Sequence, residues 1–247
     1  MLMGSSFLLT AVHNTSDSAW IALYEGLDEI VRIERLISSW QASSETSSIN
    51  RNAGIKPVKV SEELFRLIQR AKKISKLSNG YFDISFASAE RYWTFDGSVI
   101  PKPSDEEVKA TVSKVNYEHI ICDDQNQSVF LKDKGMRIGF GAIGKGYAAN
   151  RASEKMKIAG ALSGVVNAGG DLMCWGTKPD GSAWQVGIIN PNRTDQVDIS
   201  LNAVNYAVVT SGNYLKFVEI EGTRYGHIID PKTGWPAKGL VSVTIIC

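Results

Sequence analysis

The chain has 247 residues, in which 27 Lys and Arg are nearly balanced by 26 Asp and Glu, so its formal net charge is +1. A chain of this length buries roughly 70–75% of its extended surface and needs no disulfide staples. The near-zero charge excludes a global field that would hold nucleic acid or an anionic membrane surface, so any anion site must be local. Hydrophobic residues at 43% and charged residues at 21% are typical of globular proteins and exclude a disordered chain.

The cysteines and the apolar stretches exclude further classes. Cys122, Cys174 and Cys247 are odd in number and show no CxxC or Cys/His spacing, so we expect packed thiols rather than a disulfide framework or a zinc site. The longest apolar stretches are far shorter than the ~20 residues that a membrane span requires, so the sequence predicts no transmembrane segment.

The first half of the chain combines strand and helix patterns. SSFLLTAVH alternates as a strand does, and apolar residues from Ser18 to Leu36 recur at helical spacing. SSWQASSETSSINRNAG is small and polar, which predicts a loop, and a helix with one apolar face then opens near Val60 and stops at Asn79-Gly80. Turn residues between Trp93 and Glu107 predict a surface excursion before a short helix around Glu106 to Val115.

From His119 onward the pattern changes to strands. EHIICDD and QSVFLKDK flank a turn, MRIGFGAIG has the pattern of a strand that enters a glycine-rich segment, and Tyr147 to Ile158 has that of a helix. The remaining strand patterns are LSGVVNAGGDLMCWG, WQVGIIN, ISLNAVNYAVVTS, YLKFVEIEG and YGHIID, with Glu221-Gly222 as a hairpin turn. Together they predict one α+β domain over residues 1–247, with a mixed or antiparallel sheet core and flanking helices.

The most informative stretch is GFGAIGKGY, from Gly139 to Tyr147, between a predicted strand and a predicted helix. Its bare amides and the helix dipole can face a phosphate without side-chain obstruction. It matches the dinucleotide pattern G-x-G-x-x-G, which also needs a parallel βαβ unit and an acidic residue after the next strand. It nearly matches a Walker loop, except that Gly146 replaces the Ser or Thr that ligates magnesium. A tight packing turn between strand and helix is the third interpretation.

Seven motifs, one of which contains this stretch, are spread over nearly the whole chain: MGSSF, LISSWQASSETSSIN, GYFDIS, GFGAIGKGYAAN, NAGGDL, TSGNY and HIIDPKTGWP. In this order they resemble the ApbE family, the magnesium-dependent FAD:protein FMN transferases once named thiamine-biosynthesis lipoproteins. The family's versions of the last and the central motif are H-x-IDP-x-TG-x-P and D-L-G-G-I-A-K-G-Y-A-x-D. Each motif is weak alone, and their common order makes the resemblance specific.

The resemblance implies an enzyme that transfers the FMN half of FAD, through a phosphoester, to a Thr or Ser hydroxyl of a partner protein and releases AMP. Attack on phosphorus needs an anchored diphosphate, a cation and a base for the hydroxyl proton. The expected partners are therefore FAD, Mg²⁺ and an acceptor protein with a Thr or Ser flavinylation site.

His227 is the expected catalytic base, because it is the only histidine within a motif and imidazole exchanges protons near neutral pH. A structural role is the alternative for it. Asp230 either orients the imidazole or caps the following turn, and we favour the turn. His13 and His119 lie in ordinary strand contexts and are expected to be structural or solvated.

The resemblance also implies a set of cofactor-binding residues. Aromatic faces would stack on the flavin or adenine rings, and a carboxylate or backbone group would accept from a ring N–H. The backbone amides around Gly141 to Gly146 would hold the diphosphate, and Lys145 either complements them or is a solvated residue at the helix start. Without the resemblance the aromatic members would be interpreted as core. The set is Met3, Trp40, Tyr81, Phe82, Asp83, Gly141, Lys145 and Ile228.

The chain departs from the family pattern at two places. Gly139 stands where the family usually has an aspartate that contacts the cofactor. The family pattern also continues beyond SVTIIC with an Asp and a Thr that bind magnesium together with a main-chain oxygen, here that of Ala142, so we expect this chain to lack its C-terminal metal-binding segment. Two alternatives follow: an FAD-binding protein with impaired catalysis, and a pyrophosphatase that converts FAD to FMN and AMP. Binding of NAD(P)H would instead indicate a dehydrogenase.

Overall fold

The structure, a computed structural model, describes residues 1–90, 92–95, 98, 101–214 and 216–247. Parts of the predicted excursion between Trp93 and Glu107, and Leu215 of the predicted strand YLKFVEIEG, lie outside the described residues. The α-helices are α1 (Ser16–Ile37), α2 (Glu45–Arg51), α3 (Glu62–Leu77), α4 (Asp105–Thr111) and α5 (Gly144–Ile158), and short 3₁₀ helices span Ile84–Ser88 and Tyr117–His119. No helix within the described ranges is long and apolar enough to cross a membrane.

The strands are β1 (Phe7–Val12), β2 (Val58–Lys59), β3 (Ile120–Asp123), β4 (Ser128–Leu131), β5 (Ser163–Ala168), β6 (Asp171–Trp175), β7 (Trp184–Asn190), β8 (Arg193–Ala203), β9 (Ala207–Gly212), β10 (Phe217–Ile220), β11 (Thr223–Gly226) and β12 (Ser242–Ile246). Most of the predicted elements are therefore confirmed. The hairpin turn at Glu221-Gly222 is among them, and both residues adopt the positive φ that such turns require.

The chain divides into two compact units, each assembled from separate stretches of sequence. Unit 1 comprises Met1–Glu34, Ala142–Gly212 and Leu240–Cys247, and unit 2 comprises Arg35–Gly141 and Asn213–Gly239. The boundary after Gly141 falls within the glycine-rich segment, so the predicted site residues are distributed over both units. The expectation of a single domain stays a prediction.

Unit 1 is built on a five-stranded sheet with the order β1-β5-β6-β9-β12, in which every neighbouring pair is antiparallel. β7 and β8 form a separate antiparallel hairpin. The predicted α+β fold with a mixed or antiparallel sheet is confirmed. Within the described residues no two strands pair in parallel, so the βαβ unit of a dinucleotide-binding fold is absent from them.

Helices α1 and α5 pack closely in unit 1. The α5 residues Ala148, Ala152 and Met156 are fully buried. A Cβ atom at Gly26 of α1 would lie 2.8 Å from the Met156 side chain and 3.1 Å from that of Leu9 on β1. Glycine at this position therefore permits the close approach of α1 to α5 and to the sheet.

Unit 2 contains a three-stranded antiparallel sheet, β2-β4-β3, and an aromatic cluster. The cluster surrounds Trp93, whose ring stacks on Tyr225 of β11 with 5.3 Å between centroids. The Trp93 indole N–H donates to the Gly234 carbonyl at 2.8 Å. These contacts anchor the β10-β11 hairpin and the turn that follows it, and this region carries the HIIDPKTGWP motif.

The prediction of a continuous loop over SSWQASSETSSINRNAG is wrong, because Glu45–Arg51 form α2. The Ser44 hydroxyl accepts a hydrogen bond from the Ser47 amide at 2.9 Å and so caps the helix. Small polar residues favour helix starts as well as loops, so composition alone does not distinguish the two. Burial of Ile49 then stabilises the helix through tertiary packing.

The predicted strand MRIGFGAIG is also wrong, because residues 136–140 pair with no strand among the described residues. Side chains from other segments form the hydrogen bonds with this backbone instead. The Asn50 amide donates to the Ile138 carbonyl at 3.0 Å and accepts from the Ile138 N–H at 2.8 Å. The Ser88 hydroxyl donates to the Arg137 carbonyl at 2.9 Å and accepts from its N–H at 2.7 Å. Every buried backbone group needs a partner, but sequence periodicity does not say which partner provides it.

We expect Gly164→Ala to lower the free energy of unfolding by about 1–3 kcal/mol, as overpacking of a core does. A Cβ at Gly164 in β5 would lie 2.4 Å from the Thr10 carbonyl oxygen and 2.6 Å from the Trp175 ring, and a backbone oxygen within a sheet cannot move aside. Urea denaturation measures the change. Gly187→Ala is the matched control, because a Cβ there would press only on the Val197 side chain, at 3.1 Å. Equal losses in both variants would contradict the steric explanation.

Candidate functional site

The first turn of α5 presents backbone N–H groups to which no side chain of the N-cap residue binds. The residue before the helix is Ile143, which makes no side-chain capping hydrogen bond, and α5 begins at Gly144. The first amides of a helix have no intrahelical acceptor, and the helix dipole places partial positive charge at this end. An anionic group would therefore be stabilised at the start of α5.

Packing among the described residues does not require glycine at positions 141 and 146. A Cβ at Gly141 or Gly146 would meet no described atom within 4 Å, and neither residue has a positive φ. Gly139 differs, because a Cβ there would lie 3.0 Å from the Ala87 Cβ, which fits a packing turn. The backbone at Gly141 and Gly146 is thus open to the approach of a ligand.

Lys145 in the first turn of α5 lies beside Asp171 at the start of β6, with 4.0 Å between Nζ and Oδ2. Burial raises the pKa of the Asp171 carboxyl, and the positive charge of Lys145 opposes that shift. Asn167 shapes the preceding turn, since its side-chain oxygen accepts from the Gly170 amide at 2.8 Å. The structure therefore brings the predicted residue Lys145 to the NAGGD motif within unit 1.

Met3 occupies a tight turn before β1 in unit 1. Its φ of 50° is uncommon for a residue with a Cβ, and its N–H donates to Glu34 Oε1 at 2.6 Å. Leu2 and Ser5 close the turn with reciprocal backbone hydrogen bonds. These hydrogen bonds fix the backbone at Met3, and its contact with a cofactor stays a prediction.

Trp40 and Tyr81 are largely exposed aromatic residues of unit 2, at 75% and 63% of their full accessible surface. Such exposure does not fit a core role. The Lys232 ammonium lies 4.2 Å from the Tyr81 ring centroid, so the GYFDIS and HIIDPKTGWP motifs meet here. Phe82, the next residue, is half-buried.

Asp83 holds the turn that follows Phe82. Its Oδ1 accepts from the N–H and the hydroxyl of Ser85, both at 2.7 Å, and its Oδ2 accepts from the Tyr117 N–H at 2.8 Å. Burial raises the pKa of the Asp83 carboxyl, whereas these hydrogen bonds favour the charged form and oppose the shift. The contacts present in the structure make Asp83 a cap for the 3₁₀ helix, and its contact with a cofactor stays a prediction.

A cavity of about 290 Å³ lies beside Trp40. It is lined by Ser39, Trp40, Ala42, Ser47, Asn50, Arg51 and Arg137. The Arg137 guanidinium is 6.0 Å from the Trp40 ring centroid, and Arg51 donates to the Ala42 carbonyl at 2.7 Å. Guanidinium groups beside an indole suit a ligand that is both planar and anionic. Sequence analysis did not select either arginine, because an arginine outside a recognised motif gives no distinguishing signal.

His227 is exposed and directly follows β11. Its backbone N–H donates to the Lys216 carbonyl at 3.1 Å, and its Nδ1 lies 3.3 Å from the same oxygen. A carbonyl oxygen only accepts, so this contact places the ring proton on Nδ1 and the lone pair of the neutral imidazole on Nε2. The ring also meets Phe95 edge-on, with 6.3 Å between centroids.

Asn213 and Gly226 hold the strand end at His227, and sequence analysis selected neither. Asn213 Oδ1 accepts from the Ile228 N–H at 3.3 Å. A Cβ at Gly226 would lie 2.4 Å from Asn213 Cγ, so glycine is what admits this contact. Asp230 Oδ1 accepts from the Lys232 N–H at 2.8 Å, which is the turn-capping role that we favoured.

The other histidines and the cysteines have contacts or positions that fit structural roles. His119 Nδ1 lies 2.5 Å from Asp133 Oδ2, and His13 Nδ1 accepts from the Asn14 N–H at 2.8 Å. All three cysteines are free thiols.

In the part of the chain that the structure describes, no group of three or more His, Cys, Asp and Glu side chains is close enough to hold a metal ion. The expected ligand at Ala142 is a main-chain oxygen, and magnesium favours near-octahedral coordination by several oxygens. The described side chains therefore do not fit a complete magnesium site.

Comparison with known proteins shows relatives over the whole chain. The model of the ApbE family matches residues 3–247. A Klebsiella pneumoniae protein named FAD:protein FMN transferase is 32% identical, and the match covers 100% of this chain and 75% of the relative. A second K. pneumoniae protein of that name is 29% identical over 86% of this chain, and the match spans only 63% of its length.

Solved structures agree with the fold. The ApbE protein of Thermotoga maritima has a TM-score of 0.88 at 32% identity, with 100% of this chain and 79% of the other covered. The flavinyl transferase ApbE of Pseudomonas stutzeri, in its apo form, has a TM-score of 0.84 at 26% identity, with coverage of 100% and 78%. Since the match to the family model and the agreement in fold both extend over essentially every residue, the chain belongs to the ApbE family.

Proposed function

We propose that the chain transfers the FMN half of FAD to a Thr or Ser hydroxyl of a partner protein and releases AMP. The observation that carries the proposal is the glycine-rich segment, where Gly141 and Gly146 leave the backbone accessible at the start of α5. The diphosphate of FAD suits such a place, because backbone amides and the helix dipole stabilise phosphate charge. Membership of the ApbE family and the name of the K. pneumoniae relative support FAD as the substrate.

The proposed reaction exchanges the phosphoanhydride bond of the FAD diphosphate for a phosphoester bond to the acceptor. The acceptor oxygen attacks the phosphorus of the FMN half, the bond from that phosphorus to the bridging oxygen breaks, and AMP leaves with that oxygen. The acceptor proton passes to Nε2 of His227, whose Nδ1 is occupied by its contact with the Lys216 carbonyl. Lys145, beside the first amides of α5, balances negative charge on the diphosphate.

Exposed rings supply the recognition of the flavin nucleotide. Trp40 and Tyr81 present ring faces to stack on planar rings, and Met3, Phe82, Asp83 and Ile228 complete the proposed cofactor-binding set. Arg137 beside Trp40 adds a cation for a nearby phosphate. Binding of this kind holds the reacting phosphorus in a fixed position relative to the acceptor and the base.

The resemblance adds Mg²⁺ to the proposal, as a cation that would neutralise charge developing on the phosphates. The side chains described here do not form a complete site for it.

Two alternatives are tested beside the transferase. The first is a protein that binds FAD without transferring its FMN half. The exposure of His227 favours a pyrophosphatase, because water can reach the base and replace the acceptor hydroxyl. Such an enzyme would give FMN and AMP without a partner protein.

One assay separates the three functions. The protein is incubated with FAD, Mg²⁺ and a target protein that carries an acceptor threonine, and covalent flavin fluorescence is then sought on a denaturing gel. A labelled target with stoichiometric AMP supports the transferase. Bound FAD with neither product supports the binding protein, and AMP released without a target supports the pyrophosphatase.

We expect Gly146→Ala to change stability and FAD affinity in opposite directions. Alanine in a helix is more favourable than glycine by about 0.5–1 kcal/mol, and a Cβ here meets no described atom, so the melting temperature should rise. If the diphosphate lies against this backbone, the added methyl group keeps it away and weakens FAD binding by about tenfold. Calorimetric titration with FAD and thermal denaturation measure the two effects. A variant that is more stable and binds FAD as the wild type does would contradict the proposed diphosphate site.

We expect His227→Ala to lose transfer while it retains FAD. Loss of a general base lowers the rate constant by about 10²–10⁴-fold, whereas the Kd for FAD should stay within about twofold because the imidazole acts on the acceptor proton. Single-turnover labelling of the target at saturating FAD measures the rate. His119→Ala serves as the control, since His119 pairs with Asp133 outside the motif. Full activity of His227→Ala would remove the base from the proposed mechanism.

A further inference from the structure

At the entrance to the glycine-rich segment, the backbone is held by groups of other segments in place of a neighbouring strand. Both the N–H and the carbonyl of Ile138 bind the Asn50 amide, at 2.8 and 3.0 Å. Both groups of Arg137 bind the Ser88 hydroxyl, at 2.7 and 2.9 Å. The N–H of Gly139 donates to the Ile84 carbonyl at 2.9 Å. We call these contacts of residues 137–139 the backbone clamp.

The two clamping side chains come from elements far away in the sequence. Asn50 belongs to α2 and Ser88 ends the 3₁₀ helix Ile84–Ser88, and both elements lie in unit 2 with the clamped segment. Every second side chain along the segment is buried: Met136 and Ile138 fully, and Phe140 with 5% of its surface exposed. The segment is therefore fixed through its apolar side chains and through its backbone polar groups.

The clamped residues carry groups that the proposed function uses. Arg137 lines the Trp40 cavity, and its guanidinium stands 6.0 Å from the Trp40 ring centroid. Gly141, the first glycine of the segment with open surroundings, follows the clamp two residues later. A rotation of the backbone at residues 137–139 would displace both groups together.

We infer that Asn50 and Ser88 are positioning residues, which set the place of the Arg137 guanidinium and of the Gly141 backbone for the diphosphate of FAD. The inference rests on the proposed function, because it takes FAD as the ligand of these groups. Ser88 gives the clearer test of a positioning role. Asn50 lines the cavity beside Trp40, whereas Ser88 is not among the described residues that line it.

The test compares FAD with riboflavin, which has the isoalloxazine ring and no phosphate. Ser88→Ala removes both clamp bonds at Arg137, and Asn50→Asp replaces the donor to the Ile138 carbonyl with a second acceptor. We expect each variant to weaken FAD binding by about tenfold, the effect of losing a buried hydrogen bond, and to change riboflavin binding by less than about twofold. Fluorescence titration measures both ligands.

Asn52→Asp is the matched control. Asn52 is the same residue type two positions further along, and its side-chain amide donates only locally, to the Ser48 carbonyl at 2.9 Å. Thermal denaturation of all three variants identifies a general loss of stability. Hydrogen exchange followed by mass spectrometry gives a readout of the clamp itself, since faster exchange confined to residues 137–141 is expected in Ser88→Ala and Asn50→Asp.

The outcomes separate this inference from the proposed function. A wild type that binds no FAD overturns both. A wild type that binds FAD while Ser88→Ala binds it equally well overturns the positioning role and leaves the proposed function intact, and an equal loss of FAD and riboflavin affinity also overturns it. If riboflavin binds the wild type too weakly to measure, hydrogen exchange decides, because loosening spread over α3 as well as the clamp contradicts the inference.

Discussion

The backbone of residues 137–139 finds its hydrogen-bond partners without a neighbouring strand, and two elements of unit 2, α2 and the 3₁₀ helix Ile84–Ser88, carry the groups that supply them. Asn50 and Ser88 supply those partners, and each occupies both polar groups of one residue. A buried amide left without a partner costs about 1–3 kcal/mol, so α2 and the 3₁₀ helix that carry these side chains are tied to the segment. Gly139, the last residue of the clamp, is also the first residue of the glycine-rich segment.

Much of the fold could be predicted because local signals and tertiary packing agree. Helix α3 has a serine at its N-cap, and Asn79 and Gly80 just after its end both have a positive φ. The residue types at both ends allowed the start and the end of this helix to be predicted. α2 was missed because its serines fit a loop equally well, and only Ile49 contributes an apolar signal. The strand over MRIGFGAIG was wrongly predicted because side-chain partners distant in sequence leave no periodic trace.

The residues of the candidate site also fall into two groups, those that could be predicted from the sequence and those that could not. His227, Lys145 and the exposed rings of Trp40 and Tyr81 were selected from motifs, and the two rings were selected only through the resemblance to the family. Arg137 and Gly226 were not, because their importance lies in contacts between different segments of the chain. Asn213 belongs to the TSGNY motif, but its contact with the Ile228 N–H could not be predicted from that motif. The sequence around a glycine in a strand does not show that a side chain from another segment packs where a Cβ would lie.

The exposed indole beside the cavity is also a chromophore. Trp40 is largely exposed, whereas Trp93 and Trp175 are 9% and 4% exposed, so we expect Trp40 to emit at longer wavelength than these two. A flavin stacked on Trp40 at the proposed site would quench that emission. The long-wavelength part of the tryptophan spectrum would then report occupancy of this site, together with a contribution from the exposed Trp20.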